Sequence, residues 1–118
     1  MNVVEQVDGN AQAPMHIPTE LVVDFDYLGD ARLQPDLHDG FGRLLKDAPP
    51  LFYTPRNGGH WVATRGEDIY EIFKDAQRFT SQKLVVPAER NTHRMPPIFL
   101  DPPEHTKYRT LLSPLLSP

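Results

Sequence analysis

The sequence predicts a mostly α-helical fold that contains one small β hairpin, and therefore an α+β arrangement. Three segments repeat their apolar residues at helical spacing, and two β-prone runs flank an Asn-Gly-Gly turn. The chain has 118 residues, which supplies at most one hydrophobic core. Its 13 prolines, about twice the usual share, predict that the helices are short.

The segment before the first predicted helix, residues 21–27, mixes apolar and acidic side chains and is expected to run extended along a core. The first helix is predicted to begin at Pro35 and to end before Pro49. Its apolar residues form one stripe and are Leu37, Phe41, Leu44 and Leu45. Residues 1–16 are expected to be a disordered tail, so the ordered part is predicted to be residues 17–118.

A β hairpin is predicted next, because residues 51–54 and 60–64 are β-prone and enclose a turn. Asn57 and the two glycines after it supply the positive-φ positions that a tight turn needs. Trp61 and Ala63 alternate along the second strand, so both are expected on one face of the hairpin, with Trp61 as a core anchor.

A second helix is predicted after Gly66, with Glu67 and Asp68 in the first turn, where acidic residues are favourable. Its apolar residues recur at helical spacing and are Ile69, Ile72, Phe73 and Ala76. The following residues, 80–100, have no clear periodicity and contain three prolines, which predicts a long loop. Loops of this length are usually functional or disordered.

The last helix has the clearest start signal. Asp101 is a predicted helix cap, Pro102 and Pro103 suit the first two helical positions, and Glu104 completes a capping box. The apolar stripe of this helix is Tyr108, Leu111, Leu112, Leu115 and Leu116. Pro114 is expected to kink or end the helix. Because the sequence stops two residues after the stripe, we expect a truncated chain.

The composition disfavours several classes of function. The 16 acidic and 12 basic residues give a net charge of −4 without a basic block, which disfavours nucleic acid as the main partner. The chain has no cysteine, which excludes disulfides, thiolate metal sites and cysteine nucleophiles. The five histidines have no recognisable metal-ligand spacing. Neither a signal peptide nor a long apolar run occurs, so we expect a cytoplasmic protein without a membrane segment.

One pair of residues on the last predicted helix is a candidate binding site. His105 and Arg109 are four positions apart and therefore lie on one helix face. Two cations at this spacing repel each other unless an anion lies between them, and a carboxylate or phosphate would accept hydrogen bonds from both. Spacing alone leaves two interpretations open, an anion site and a solvated polar face.

The stretch from Asp101 to Arg109 reads Asp-Pro-Pro-Glu-His-Thr-Lys-Tyr-Arg, and it resembles the start of helix C in the cytochrome P450 family of haem-thiolate monooxygenases. Residues 57–66 resemble the family's first hairpin and its turn into helix B, most closely in soluble bacterial camphor-hydroxylating members. His16-Ile17-Pro18 and residues 21–26 resemble the lead-in of the same subgroup. The resemblance implies the N-terminal part of the P450 fold, ending at helix C.

The resemblance also implies functional residues. His105 and Arg109 match the positions that bind a propionate of the haem cofactor, and Arg109 and Lys107 match the surface on which an iron–sulfur ferredoxin docks. The 80–100 loop matches the segment that lines the pocket for a small hydrophobic substrate. The candidate substrate contacts are Val85, Val86, His93, Met95 and Ile98. Near the position of His93, members of the camphor-hydroxylating subgroup carry a tyrosine that hydrogen-bonds the substrate. This difference disfavours camphor itself and leaves a terpenoid or another small apolar molecule as the expected substrate.

The activity implied by the resemblance is that of a longer enzyme, which inserts one oxygen atom from O2 into its substrate. The family's cysteine ligand to the iron is missing here, so we expect the chain alone to be an inactive fragment. The alternative is a stand-alone module that binds an anion or a partner through His105 and Arg109. A hairpin with three short helices buries little apolar surface, which disfavours the alternative.

Overall fold

The computed structural model describes residues 12–88 and 95–116, which divide into two compact units, one up to Asp68 and one from Ile69. This part of the chain contains the predicted three helices and one antiparallel hairpin. They are α1 (Leu37–Asp47), β1 (Leu51–Thr54), β2 (His60–Ala63), α2 (Gly66–Lys74) and α3 (Glu104–Leu116). None of the described helices is long and apolar enough to cross a membrane. The prediction of a disordered tail over residues 1–16 falls mostly outside the described residues.

The first unit is built around a small aromatic and aliphatic core, which consists of Phe25, Leu33, Leu44 and Phe52. The Phe25 ring meets the Phe52 ring edge to face, with 6.1 Å between the ring centroids. Edge-to-face pairs of this kind stabilise a core beyond the area that they bury. The core therefore joins the lead-in, α1 and the hairpin.

The lead-in runs extended beside the hairpin, as its sequence predicts. Val22 forms a parallel bridge with Tyr53, and the amide of Val23 donates to the carbonyl of Tyr53 at 2.9 Å. Phe25 follows two residues later and is buried. The extended path of this segment thus places Phe25 in the core.

Helix α1 begins at Leu37, two residues later than predicted, because Asp36 is its N-cap and accepts the amide of Asp39 at 3.0 Å. Gly40 is buried, and a Cβ at this position would lie 2.6 Å from the Cα of Leu33. The apolar stripe is narrower than predicted, since Leu44 is buried but Leu45 is exposed.

The hairpin has the predicted strands and turn. Phe52 pairs with Val62, and Tyr53 pairs with Trp61. Asn57 has a φ of 53°, followed by Gly58 at 84° and Gly59 at 75°. The prediction that Trp61 anchors the core is wrong, because the register places Phe52 on the core face. The Trp61 side chain is exposed and packs edge to face on Tyr53, with 5.5 Å between the ring centroids.

Helices α2 and α3 occur where the sequence predicts them, with three differences at their ends. Ala76 lies beyond the end of α2. Helix α3 begins at Glu104, so Pro102 and Pro103 precede it instead of forming its first two positions. Pro114 does not end α3, which continues to Leu116. A proline this close to a C-terminus removes one hydrogen bond from the last turn only, which the helix tolerates.

Candidate functional site

The candidate anion site lies on the first two turns of α3. His105 is half-buried and Arg109 is exposed one turn later, so both are on the same face of the helix. The amide of His105 donates to the carbonyl of Asp101 at 2.9 Å, which fixes the first turn. Within the described ranges, the ion pairs are made by other arginines, and Arg109 has no carboxylate partner.

This donor set fits a carboxylate ligand. A guanidinium presents several N–H donors in a planar fork, and an imidazole one turn away adds another donor. Cβ atoms at this spacing are about 5–6 Å apart, so two long side chains can converge on one anion. The arrangement can therefore hold a propionate or a similar group against the helix.

Asp101 joins the start of α3 to the start of the 80–100 loop. Its Oδ1 accepts the backbone amide of Ser81 at 2.7 Å, and its Oδ2 accepts the hydroxyl of Thr80 and the side-chain amide of Gln82, the latter at 3.1 Å. The Ser81 amide and then the Thr80 hydroxyl lower the pKa of the Asp101 carboxyl, with smaller contributions from Gln82 and the nearby His105. The carboxylate is thus the ionised form at neutral pH.

The described part of the 80–100 loop consists of bends and turns, as predicted. Among the five candidate substrate contacts, Val86 is half-buried, and the side chains of Val85, Met95 and Ile98 are exposed. His93 lies outside the described residues. Apolar side chains on an irregular segment are suited to contact a hydrophobic ligand, but the loop itself does not bury them.

The apolar stripe of α3 is uncovered. Leu111, Leu115 and Leu116 are 73%, 81% and 71% exposed, and Tyr108 and Leu112 are exposed as well. Soluble proteins rarely leave a helix face of this kind open to water.

The sequence predicts Asp101 only as a helix cap, and its contacts with Thr80, Ser81 and Gln82 are an addition from the structure. The donors are 19 to 21 residues away along the chain. No periodic pattern links positions at that distance. A hydroxyl-rich segment after α2 is the one feature of the sequence that could have suggested a carboxylate partner.

The comparisons with known proteins agree with the fold. A scan of protein-family models finds no match. The probable cytochrome P450 127A1 of Sinorhizobium fredii (strain NBRC 101917 / NGR234) is 34% identical over 113 residues, which cover 88% of this chain and 27% of that protein. Linalool 8-monooxygenase of Pseudomonas putida is 32% identical over 101 residues, which cover 69% of this chain and 23% of that enzyme.

Solved structures give the same result. The crystal structure of CYP101J2 matches with a TM-score of 0.77 and 37% identity, over 91% of this chain and 28% of that one. The structure of CYP101C1 matches with a TM-score of 0.77 and 35% identity, over 87% of this chain and 26% of that one. The chain thus spans about a quarter of the length of the relatives that it matches. Its helices and hairpin are the N-terminal part of the P450 fold, and the chain belongs to the cytochrome P450 family.

Proposed function

We propose that this chain is the N-terminal part of a haem-dependent monooxygenase, in which α3 binds a haem propionate and the 80–100 loop contacts the substrate. The observation that supports the proposal most is the pairing of His105 and Arg109 on one face of α3. Arg109 lacks a carboxylate partner among the described residues, and a propionate would supply one.

The haem, when bound, would supply the chemistry that activates O2, so that one oxygen atom enters the substrate and the other leaves as water after two electrons and two protons are delivered. The residues of this chain bind and orient. Arg109 and His105 would hold the propionate and would thereby anchor the cofactor beside α3. The chain has no cysteine, so under this proposal the cysteine ligand of the iron would lie outside these residues, and we expect the chain alone to be inactive.

The substrate that we propose is a small hydrophobic molecule such as a terpenoid. The name of one relative states that it oxidises linalool, a terpenoid alcohol. The proposed contacts Val85, Val86, Met95 and Ile98 are apolar, and they would exclude water from the reacting carbon. His93 would add one polar contact at the pocket wall.

The electrons would come from an iron–sulfur ferredoxin that docks on the basic residues of α3. Lys107 and Arg109 are both exposed and lie two positions apart. The two side chains point to different faces of the helix, and together they add positive charge that attracts an acidic partner over a distance set by the ionic strength. We propose that the protein works in the cytoplasm, where such ferredoxins are found.

The propionate assignment is tested by haem retention in the whole protein. Arg109→Ala is expected to speed haem transfer to an apo-globin about ten- to a hundredfold, since it removes a charge-assisted hydrogen bond. His105→Ala is expected to have a smaller effect, because a neutral imidazole donates one ordinary hydrogen bond. Lys107→Ala is the matched control, as it removes a neighbouring cation from a different helix face.

Two results would contradict this assignment. If Arg109→Ala retains haem as the unchanged protein does but loses turnover driven by ferredoxin, Arg109 serves partner docking instead. If the whole protein is expressed with an adequate supply of haem and still purifies without it, the proposed monooxygenase function is wrong.

A further inference from the structure

Three consecutive residues of the 80–100 loop converge on one carboxylate. Ser81 donates its backbone amide to Oδ1 of Asp101, while Thr80 and Gln82 donate side-chain groups to Oδ2. All three groups act as donors, and an ionised carboxylate acts as an acceptor only. The match in chemistry makes these bonds charge-assisted, which strengthens each of them.

The main chain of Asp101 holds the helix at the same time. Its carbonyl accepts the amide of His105 at 2.9 Å, in the first turn of α3. The side chain of Asp101 therefore holds the start of the loop. Its backbone carbonyl holds the amide of His105, a member of the candidate propionate site. Asp101 thus fixes the position of the base of the loop relative to the start of α3.

We infer that Asp101 is a positioning residue, which holds the base of the 80–100 loop in register with α3 and thereby determines how tightly the pocket binds an apolar ligand. The inference rests on the proposed function. Val85 and Val86 follow the three donors by only a few residues, so a shift of Gln82 moves them. Arg109 lies further along α3, held by the hydrogen bonds of the helix itself, so haem retention depends less on Asp101.

The variants Asp101→Ala and Asp101→Asn separate this role from a general structural one. Asp101→Ala removes all three hydrogen bonds. Asp101→Asn can keep the bond from the Ser81 amide, but its own NH2 group faces the donors Thr80 and Gln82. Asp75→Asn is the matched control, because Asp75 likewise accepts three hydrogen bonds, in its case two from backbone amides and one from a side chain, all from residues within three positions of it.

The experiment uses the haem-loaded whole protein and two readouts. The first is the spectral shift of the haem on titration with linalool, from which the Kd is obtained. For Asp101→Ala we expect the Kd to rise about fivefold or more, and for Asp101→Asn somewhat less, as hydrogen bonds to a charge are lost. The second is amide hydrogen exchange in residues 80–88, which we expect to accelerate in both variants and to stay unchanged in Asp75→Asn.

Thr80→Val provides an independent route, because it leaves the carboxylate in place and removes one donor. It is expected to raise the Kd and the exchange rate in the same direction as Asp101→Ala, but less. Combined with Asp101→Ala it is expected to add nothing, since the shared contact is already lost. This variant also decides the question if Asp101→Ala does not fold.

The inference is wrong if exchange in residues 80–88 and the Kd for linalool are unchanged in Asp101→Ala, or in Thr80→Val should the former not fold. That result would not contradict the proposal that Arg109 helps to retain the haem. Conversely, if Arg109→Ala retains haem fully, the propionate assignment fails while the exchange readout still tests the contact made by Asp101. If the unchanged protein does not bind linalool, amide hydrogen exchange in residues 80–88 alone tests the inference.

Discussion

The hydroxyl of Thr54 forms hydrogen bonds with both the backbone amide and the backbone carbonyl of Phe25, which lies 29 positions earlier in the sequence. It donates to the carbonyl of Phe25 at 2.8 Å and accepts the amide of Phe25 at 3.2 Å. It also accepts the amide of Arg56 at 3.2 Å. Thr54 is fully buried, so one side chain satisfies the backbone of the lead-in where it enters the core.

The first prediction concerns this residue. Thr54→Val keeps the shape of the side chain but leaves buried backbone groups of Phe25 without a partner, and it is expected to lower the free energy of unfolding by about 2–3 kcal/mol. Thr64→Val is the control, since Thr64 donates one bond at an exposed position, to the carbonyl of Pro50. Chemical denaturation of the whole protein measures both. Equal losses in the two variants would contradict the prediction.

The second prediction compares two glycines of α1. A Cβ at Gly40 would lie 2.6 Å from the Cα of Leu33 and 2.7 Å from the carbonyl oxygen of Arg32, whereas a Cβ at Gly42 would meet nothing within 4 Å. Gly40→Ala is therefore expected to destabilise the protein by about 1–3 kcal/mol, because backbone has to move. Gly42→Ala is expected to stabilise it by up to about 1 kcal/mol through helix propensity.

Thermal unfolding of the two glycine variants gives the comparison. The unfolding midpoint is expected to fall for Gly40→Ala and to rise slightly for Gly42→Ala. A rise for both variants would show that α1 and the turn at residues 31–33 can separate without cost.

The third prediction concerns the pocket wall. Met95→Ala and Ile98→Ala are expected to change the spectral shift that apolar ligands induce and the pattern of products, because both side chains are proposed to contact the substrate. Haem content is expected to stay unchanged, since neither residue belongs to the propionate site. Leu45→Ala, an exposed leucine of α1, serves as the control. If both loop variants bind every tested ligand as the unchanged protein does, the 80–100 loop is not the pocket wall.

The fourth prediction concerns the isolated chain of 118 residues. The open stripe of α3 is expected to cause self-association, and the double variant Leu111→Lys with Leu115→Lys is expected to reduce it. Phe73→Lys is the control, because Phe73 is 83% exposed but lies on α2. Sedimentation or light scattering over a range of concentrations measures the effect. A cooperative thermal transition that does not depend on concentration would contradict the expectation.

The sequence was a sound guide to helices and strands because their signals are local. Apolar spacing predicts α1, α2 and α3, and the positive φ angles of Asn57, Gly58 and Gly59 agree with the predicted turn. The burial of Trp61 is predicted wrongly because the alternation of side chains distinguishes the two faces of a hairpin but does not say which face is buried. That choice depends on Phe52 and on the lead-in, which are remote in sequence.

The same limit applies to the candidate site. The i, i+4 spacing of His105 and Arg109 is visible in the sequence, and the structure retains it. The contacts of Asp101 are not visible, because the sequence predicts the 80–100 loop but no local rule says which residues at its two ends meet. Hydrogen bonds of that kind follow from the tertiary fold rather than from patterning.

The contacts of Asp101 also join the two ends of the 80–100 loop, since Thr80 and Asp101 are 21 positions apart in the sequence. With the two ends joined, the entropic cost of a longer loop is small, about 0.6 kcal/mol for each doubling of length. Insertions and deletions beyond Gln82 therefore leave the ends of the loop where they are. For the proposed function, this means that the proposed pocket wall can change while the proposed propionate site on α3 stays the same, and exchanging residues 83–100 with those of a relative is expected to change ligand preference without loss of haem.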